Sequence, residues 1–197
     1  MSRRTLIEYA QYHFEEHPFR SAVTFVHADG SELPHNYFTF FHEAADYAAA
    51  LEGAGITAGD LVVLVMEQSV SVMAAFWGAL LIGALPSIFP FINEKLDAEH
   101  YYSSIRQLIG FESVRAVITF AKFEPDLRAT LAGLPVEIIT TETLKAVGDP
   151  AVYFARPAPD PEATAFLQHS SGSTGLQKGV MLSHRAVINQ IQEYEEA

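Results

Sequence analysis

Glycine, hydroxyl and lysine residues are concentrated in one short segment near the end of the chain. Residues 169 to 179 read His-Ser-Ser-Gly-Ser-Thr-Gly-Leu-Gln-Lys-Gly. Glycine lets the backbone turn sharply and approach a ligand, hydroxyls can donate to phosphate oxygens, and lysine adds a positive charge. The segment therefore predicts a polyphosphate-binding loop at 169–180. Its candidate phosphate-binding residues are Ser170, Ser171, Gly172, Ser173, Thr174, Gly175 and Lys178.

Two better-known glycine-rich motifs do not fit this segment. A Walker A loop has glycine before its lysine and serine or threonine after it, whereas Lys178 stands between Gln177 and Gly179. A nucleophile elbow has glycine two residues before its serine, whereas Ser171 precedes the run 172–175. We therefore expect neither a P-loop nor a serine hydrolase.

A flexible Ser/Gly linker would have a similar composition. However, two short strand-like runs, 164–168 and 179–182, flank the segment closely enough to form a hairpin. Ser183 can then cap a helix that starts near Arg185. This context favours an ordered loop over a linker.

Other residues could do chemistry, and each has a simpler interpretation. Residues 13–17 match the His-x-x-Glu-His pattern of some zinc peptidases, but this is also the end of a solvated helix before Pro18. Trp77 and its apolar neighbours Phe76 and Met73 could line an acyl pocket, although such residues usually belong to the core. His184 could contact a ligand or lie in the first turn of the last helix.

The elements that would position the loop alternate between helix and strand. Apolar spacing predicts helices at 6–17, 39–53, 69–83, 97–109, 125–131 and 185–197, with Thr39 and Asp97 as caps. Strand-like runs lie at 22–27, 61–66, 85–89, 115–120 and 136–140, and a proline-rich connector follows at 155–163. The order predicts an α/β fold with a largely parallel sheet flanked by helices.

Composition excludes several classes of function. Acidic residues outnumber basic ones 24 to 12, and the net charge of -12 argues against nucleic-acid binding. The absence of cysteine excludes disulfides and thiolate catalysis, and the first residues do not resemble a signal peptide. These features are consistent with the cytoplasm.

One uncharged stretch, residues 68–93, is long enough to cross a bilayer. Pro86 and Pro90 would break its second half, and its flanking residues Glu67 and Glu94 are acidic rather than basic. A buried helix followed by a buried strand is the better interpretation, so no transmembrane segment is expected.

The candidate loop resembles a known family motif. The run from Ser170 to Gly175, followed by Lys178, Gly179 and Val180, is similar to the signature phosphate loop of the AMP-binding superfamily of adenylate-forming enzymes. This group includes acyl-CoA synthetases, fatty-acyl-AMP ligases, luciferases and peptide-synthetase adenylation domains. Weaker likenesses lie at 59–62, 83–84, 166–168 and 183–184. Gln177 stands where the family usually has proline, and His169 where an aromatic residue is common.

The resemblance implies that residues 1–197 are the N-terminal part of an adenylation domain. It implies a reaction in which a carboxylic acid, such as a fatty or related lipophilic acid, attacks Mg-ATP to give acyl-AMP and pyrophosphate. A thiol of coenzyme A or of an acyl carrier protein would then accept the acyl group. The loop would hold the β- and γ-phosphates, with Lys178 as its electrostatic partner.

In this family the magnesium ligand, most of the acyl pocket and the mobile C-terminal domain come later in the sequence. No catalytic residue and no metal ligand is therefore assigned within this chain, and the 197 residues alone are expected not to form acyl-AMP. The alternative is a non-catalytic nucleotide-binding or protein-interaction module that keeps the fold and the loop.

Overall fold

The computed structural model describes residues 4–92, 97–111, 113–145, 147–169 and 179–196. The α-helices in these ranges are α1 (Leu6–Glu16), α2 (Tyr37–Gly53), α3 (Val70–Leu81), α4 (Ala98–Phe111), α5 (Glu124–Thr130), α6 (Pro150–Phe154) and α7 (His184–Glu196). The β-strands are β1 (Ser21–Val26), β2 (Glu32–Asn36), β3 (Leu61–Leu64), β4 (Leu85–Ile88), β5 (Ala116–Thr119), β6 (Glu137–Thr140), β7 (Thr164–His169) and β8 (Gly179–Ser183).

A four-stranded parallel sheet forms the centre of the fold. Its strand order is β4-β3-β5-β6, so β3 has neighbours on both sides. All residues of β3 and β5 are buried, as expected for strands covered by helices on both faces. The predicted α/β fold with a parallel sheet is confirmed.

Small residues bring helices α2 and α3 into close contact. The apolar residues Ala44, Ala48 and Leu51 of α2 are completely buried. A Cβ on Gly78 of α3 would lie only 2.6 Å from the carbonyl oxygen of Ala44, because the two backbones approach closely there. Helix α3 of this pair packs against strands β3 and β4 of the sheet.

Three sequence-based expectations need correction. The strand near residue 22 does not join the parallel sheet, because β1 pairs antiparallel with β2. Strand β2 was not predicted, since it is short and largely exposed and contains Pro34. Helix α2 begins at Tyr37, and its cap is Asn36, which accepts from the backbone N–H of Thr39 at 2.8 Å. The short helix α6 was also missed.

The uncharged stretch forms the predicted buried helix and strand. Ser69 caps α3 by accepting a hydrogen bond from the backbone N–H of Val72 at 3.3 Å. A turn at Gly83, with φ of 74°, leads from α3 into β4. In the part of the chain that the structure describes, no helix is long and apolar enough to span a membrane.

Candidate functional site

The strands on either side of the candidate loop form an antiparallel hairpin. The pairing of β7 with β8 runs from Thr164 opposite Ser183 to His169 opposite Gly179, with an irregularity near Ala165. His169 and Gly179 are thus the last paired residues before the segment 170–178. The sequence-based prediction of two strands a hairpin apart is confirmed.

Strand β7 lies beside β4, the edge strand of the parallel sheet, although its hydrogen-bonded partner is β8 in a separate two-stranded sheet. At their amino ends, Thr164 and Leu85 line the same cleft. At their carboxyl ends, the Ser87 hydroxyl oxygen and the His169 Nδ1 atom lie 2.7 Å apart. The two strands therefore run in the same direction, and β7 ends at the carboxyl edge of the parallel strands. In open α/β sheets, this edge is where ligands bind.

The phosphate-binding residues predicted from sequence lie outside the described residues. These are Ser170, Ser171, Gly172, Ser173, Thr174, Gly175 and Lys178. Their assignment stays a prediction. What the structure describes is the frame of the segment: both ends are held by strand pairing at the edge of the sheet.

Apolar contacts fasten β7 to the helical layer. Ala165 is almost completely buried, and the Phe166 ring packs edge-on against Phe76 of α3, with centroids 5.3 Å apart. On β8, by contrast, Val180 and Met181 are exposed. The hairpin is thus held through β7, the strand that leads into the segment.

The far end of the hairpin leads directly into α7. The Ser183 hydroxyl accepts from the backbone N–H of Ala186 at 3.2 Å, as predicted for a cap. His184 is the first helical residue and is buried, and its Nδ1 accepts from the backbone N–H of Leu6 at 3.3 Å. Burial lowers the pKa of His184, and the carboxylate of Glu8 opposes that shift. This histidine joins α7 to α1 at the opposite end of the hairpin from the candidate loop.

A cleft of about 560 Å³ lies at the same end as His184. Arg156 and Tyr153 line it, and the Arg156 guanidinium is 2.7 Å from the carboxylate of Glu52. The hydrogen bond from Arg156 lowers the pKa of Glu52. Because this charge is already paired, the cleft offers little to an anionic ligand.

The zinc-peptidase pattern near the N-terminus does not form a metal site. His13 stacks on Tyr37, with ring centroids 4.8 Å apart, and the His13 and His17 ring centroids are 6.1 Å apart. Across the described ranges, no group of three or more His, Asp or Glu side chains could hold a metal ion. No ligand for the magnesium expected to accompany ATP is assigned among the described residues.

The aromatic residues of α3 pack against the core. Trp77 and Phe76 are partly buried against the main hydrophobic cluster, while Met73 is exposed. Trp77 also lines a groove of about 290 Å³ with Tyr9 of α1 and Ile188 of α7. This groove lies between helices, away from His169.

Sequence reasoning missed Ser87. The one available signal was a hydroxyl within the apolar run Leu85–Ile88, at a position that proves completely buried. Its partner lies 82 residues further along the chain, so no local pattern could identify the pair.

Comparisons with known proteins agree with this architecture. A family model described as AMP-binding enzyme matches residues 10–197. Indigoidine synthase of Streptomyces lavendulae is 32% identical over 161 residues, which cover 77% of this chain and 12% of that protein. The 4-hydroxyphenylalkanoate adenylyltransferase of Mycobacterium marinum is 29% identical and covers 95% of this chain, which spans 31% of its length.

The fold is similar to that of a solved adenylate ligase. The fatty acyl-adenylate ligase of L. pneumophila, solved in complex with acyl adenylate and pyrophosphate, superimposes with a TM-score of 0.81 at 22% identity. The match covers 98% of this chain and 32% of that structure. At this identity the likeness establishes the fold alone. The chain spans about a third or less of the length of each of these proteins.

Proposed function

This chain belongs to the AMP-binding enzyme family, and we propose that the protein activates a carboxylic acid with ATP. A carboxylate oxygen attacks the α-phosphorus, the bond from the α-phosphorus to the bridging oxygen breaks, and pyrophosphate leaves. A thiol then attacks the acyl carbonyl carbon, and AMP leaves with the electrons of the acyl–phosphate bond. The thiol belongs to coenzyme A or to the phosphopantetheine of a carrier protein.

One observation carries the proposal: the hairpin holds both ends of segment 170–178 at the carboxyl edge of the parallel sheet. The segment is rich in groups that bind phosphate oxygens and ends in Lys178. Backbone N–H groups, hydroxyls and a fixed cation there would stabilise the charge that develops on the departing pyrophosphate. The role of the segment is to bind the β- and γ-phosphates of ATP.

We further propose that the substrate is a fatty or related lipophilic acid. The name of one similar protein, 4-hydroxyphenylalkanoate adenylyltransferase, supports this class. That name describes an acid with an apolar body and one carboxylate.

The test is direct detection of acyl-AMP. The complete protein is incubated with ATP, magnesium and one acid at a time from a panel of medium-chain fatty, long-chain fatty, aryl-alkanoic and amino acids, and products are identified by mass spectrometry. We expect acyl-AMP and pyrophosphate with a lipophilic acid, and thioester after addition of coenzyme A or a carrier protein. ATP binding without acyl-AMP from any acid would favour a non-catalytic nucleotide-binding module instead.

A further inference from the structure

The cleft of about 560 Å³ beside His184 has mainly apolar walls. The end of α3 and the turn after it contribute Leu80, Leu81 and Ile82, and the connector before β7 contributes Pro157 and Pro159. Small-molecule sites in proteins are concave, mostly apolar and about 300–1,000 Å³ in volume, with a few polar groups that orient the ligand. The cleft therefore has the size and the walls of such a site.

His184 supplies a polar group in the wall of the cleft, although only 3% of the residue is exposed. Its Nδ1 atom accepts a hydrogen bond from the backbone N–H of Leu6 at 3.3 Å. A neutral imidazole whose Nδ1 accepts carries its proton on Nε2, so the other side of the ring is a donor. Burial lowers the pKa of His184, and this favours the neutral form.

The Nε2–H group has no hydrogen-bond partner among the described residues. It is also not one of the fully enclosed side-chain atoms that lack a partner in the described ranges, so Nε2 keeps contact with the open space of the cleft. A polar group taken out of bulk water is costly unless it is hydrogen-bonded. The missing acceptor is therefore expected to come from a molecule in the cleft.

The charges around the cleft favour a neutral ligand. The Arg156 guanidinium is paired with the carboxylate of Glu52 at 2.7 Å, and the Tyr153 hydroxyl donates to the same carboxylate at 3.3 Å. The carboxylate of Glu8 acts on His184 and would repel an anion. A cation, in turn, cannot accept a hydrogen bond from Nε2–H.

We propose that this cleft binds a neutral small molecule with an apolar body and one carbonyl oxygen, which accepts a hydrogen bond from Nε2–H of His184. The apolar body lies against the leucine, isoleucine and proline walls. Such a ligand contacts α7, the turn after α3 and the connector before β7 at once. Because it binds only the folded chain, it raises the melting temperature as its concentration increases. This binding does not depend on the proposed function.

The probe is benzylacetone, a neutral aryl ketone, and its binding to the complete protein is measured by isothermal titration calorimetry. His184→Asn keeps an amide oxygen near the position of Nδ1 for the Leu6 N–H but lacks Nε2–H, so it should weaken binding about ten-fold. Ala58→Phe fills the cleft from the exposed turn before β3 and should abolish binding.

Two controls accompany these variants. Ala98→Phe adds the same ring at another exposed alanine, the first residue of α4, and should bind benzylacetone like wild type. Hydrocinnamate has nearly the shape of benzylacetone but carries a carboxylate. Any binding of hydrocinnamate should therefore be equal in wild type and Ala58→Phe, because the cleft does not accept an anion. Melting curves followed by circular dichroism establish that each variant is folded.

The proposal is supported if benzylacetone binds wild type and Ala98→Phe alike, binds His184→Asn more weakly and does not bind Ala58→Phe. It is wrong if wild type does not bind benzylacetone, or if Ala58→Phe binds it as wild type does. Wild-type affinity in folded His184→Asn would also overturn it, because Nε2–H would not then be the recognising group. If His184→Asn does not fold, Ala58→Phe still decides the result.

Discussion

The four-stranded sheet with its helices and the β7–β8 hairpin are built differently. Every residue of β3 and β5 is buried, whereas β8 exposes most of its length, including Met181 at 69%. Many interchangeable apolar contacts stabilise the sheet, whereas a few specific contacts stabilise the hairpin. Substitutions in the sheet layer should therefore change stability, and substitutions in segment 170–178 should change chemistry.

The largest expected effect is on the chemical step. Lys178→Ala or Thr174→Ala in the complete protein should slow acyl-AMP formation by about ten- to a thousand-fold, because charge accumulates on pyrophosphate as its bond to the α-phosphorus breaks. Thermal unfolding should be nearly unchanged. The measurement is the rate of acyl-AMP formation with saturating acid.

The second half-reaction serves as the control for this prediction. Pre-formed acyl-AMP and the thiol acceptor are supplied, and thioester formation is compared with wild type. We expect it to be largely spared because pyrophosphate has already left. An equal loss in both half-reactions would mean that the segment supports the fold or both steps, contrary to the proposed role.

The next largest effect is on the stability of the sheet layer. Gly78→Ala should lower the free energy of unfolding by about 1–3 kcal/mol, because the new Cβ overlaps the backbone of Ala44 and forces α2 and α3 apart. Urea unfolding followed by circular dichroism measures the change.

Gly53→Ala is the matched control for Gly78→Ala. Gly53 is also helical, but a Cβ there would meet no atom within 4 Å. We expect its effect to stay within about 0.5 kcal/mol. Equal losses at the two glycines would contradict the close contact between α2 and α3.

A smaller effect is expected from His184, the histidine that joins α7 to α1. Its folded-state pKa is below the ordinary value of 6.5, so the unfolded chain takes up its proton first as the pH falls. The contribution of His184 to the free energy of unfolding is fully present above pH 6.5 and is lost as the pH falls through the folded-state pKa. The slope cannot exceed about 1.4 kcal/mol per pH unit, the value for one proton.

Unfolding free energies measured at a series of pH values test this prediction. His184→Gln should flatten the pH dependence just below 6.5. If the variant kept the wild-type slope in that range, another group would be responsible, and the neutral form of His184 would not be the one the fold stabilises.

The smallest effect concerns the cap of α3. Ser69→Ala removes the acceptor for the backbone N–H of Val72 and should cost about 1 kcal/mol of unfolding free energy. Ser21→Ala, at an exposed position on β1, should cost less than about 0.5 kcal/mol. A larger loss at Ser21 than at Ser69 would contradict the capping role.

The sequence was most informative where one physical pattern dominates. The apolar spacing of α2 predicted the buried face that includes Ala44 and Leu51, and the continuous apolar run predicted the central strand β3. The glycine and hydroxyl composition of residues 169–179 predicts a phosphate-binding segment, and this assignment stays a prediction. In each case the information lies within a few neighbouring residues.

The misses occurred where the information is not local. Strand β2 contains Pro34 and has no buried residue, so neither strand propensity nor alternation marked it. The contact between Ser87 and His169 depends on two strands lying side by side, which no periodicity encodes. The pairing of β1 with β2, rather than with the parallel sheet, likewise depends on tertiary structure.

Exchange of labelled pyrophosphate into ATP by the complete wild-type protein tests the central claim most directly. The reaction requires the carboxylate to attack the α-phosphorus of ATP and pyrophosphate to attack acyl-AMP in the reverse direction, with pyrophosphate held by the proposed phosphate-binding segment. We predict that label enters ATP only when a suitable carboxylic acid is present. The account would be contradicted if label entered ATP without any acid, or if folded protein that binds ATP gave no exchange with any acid of the panel.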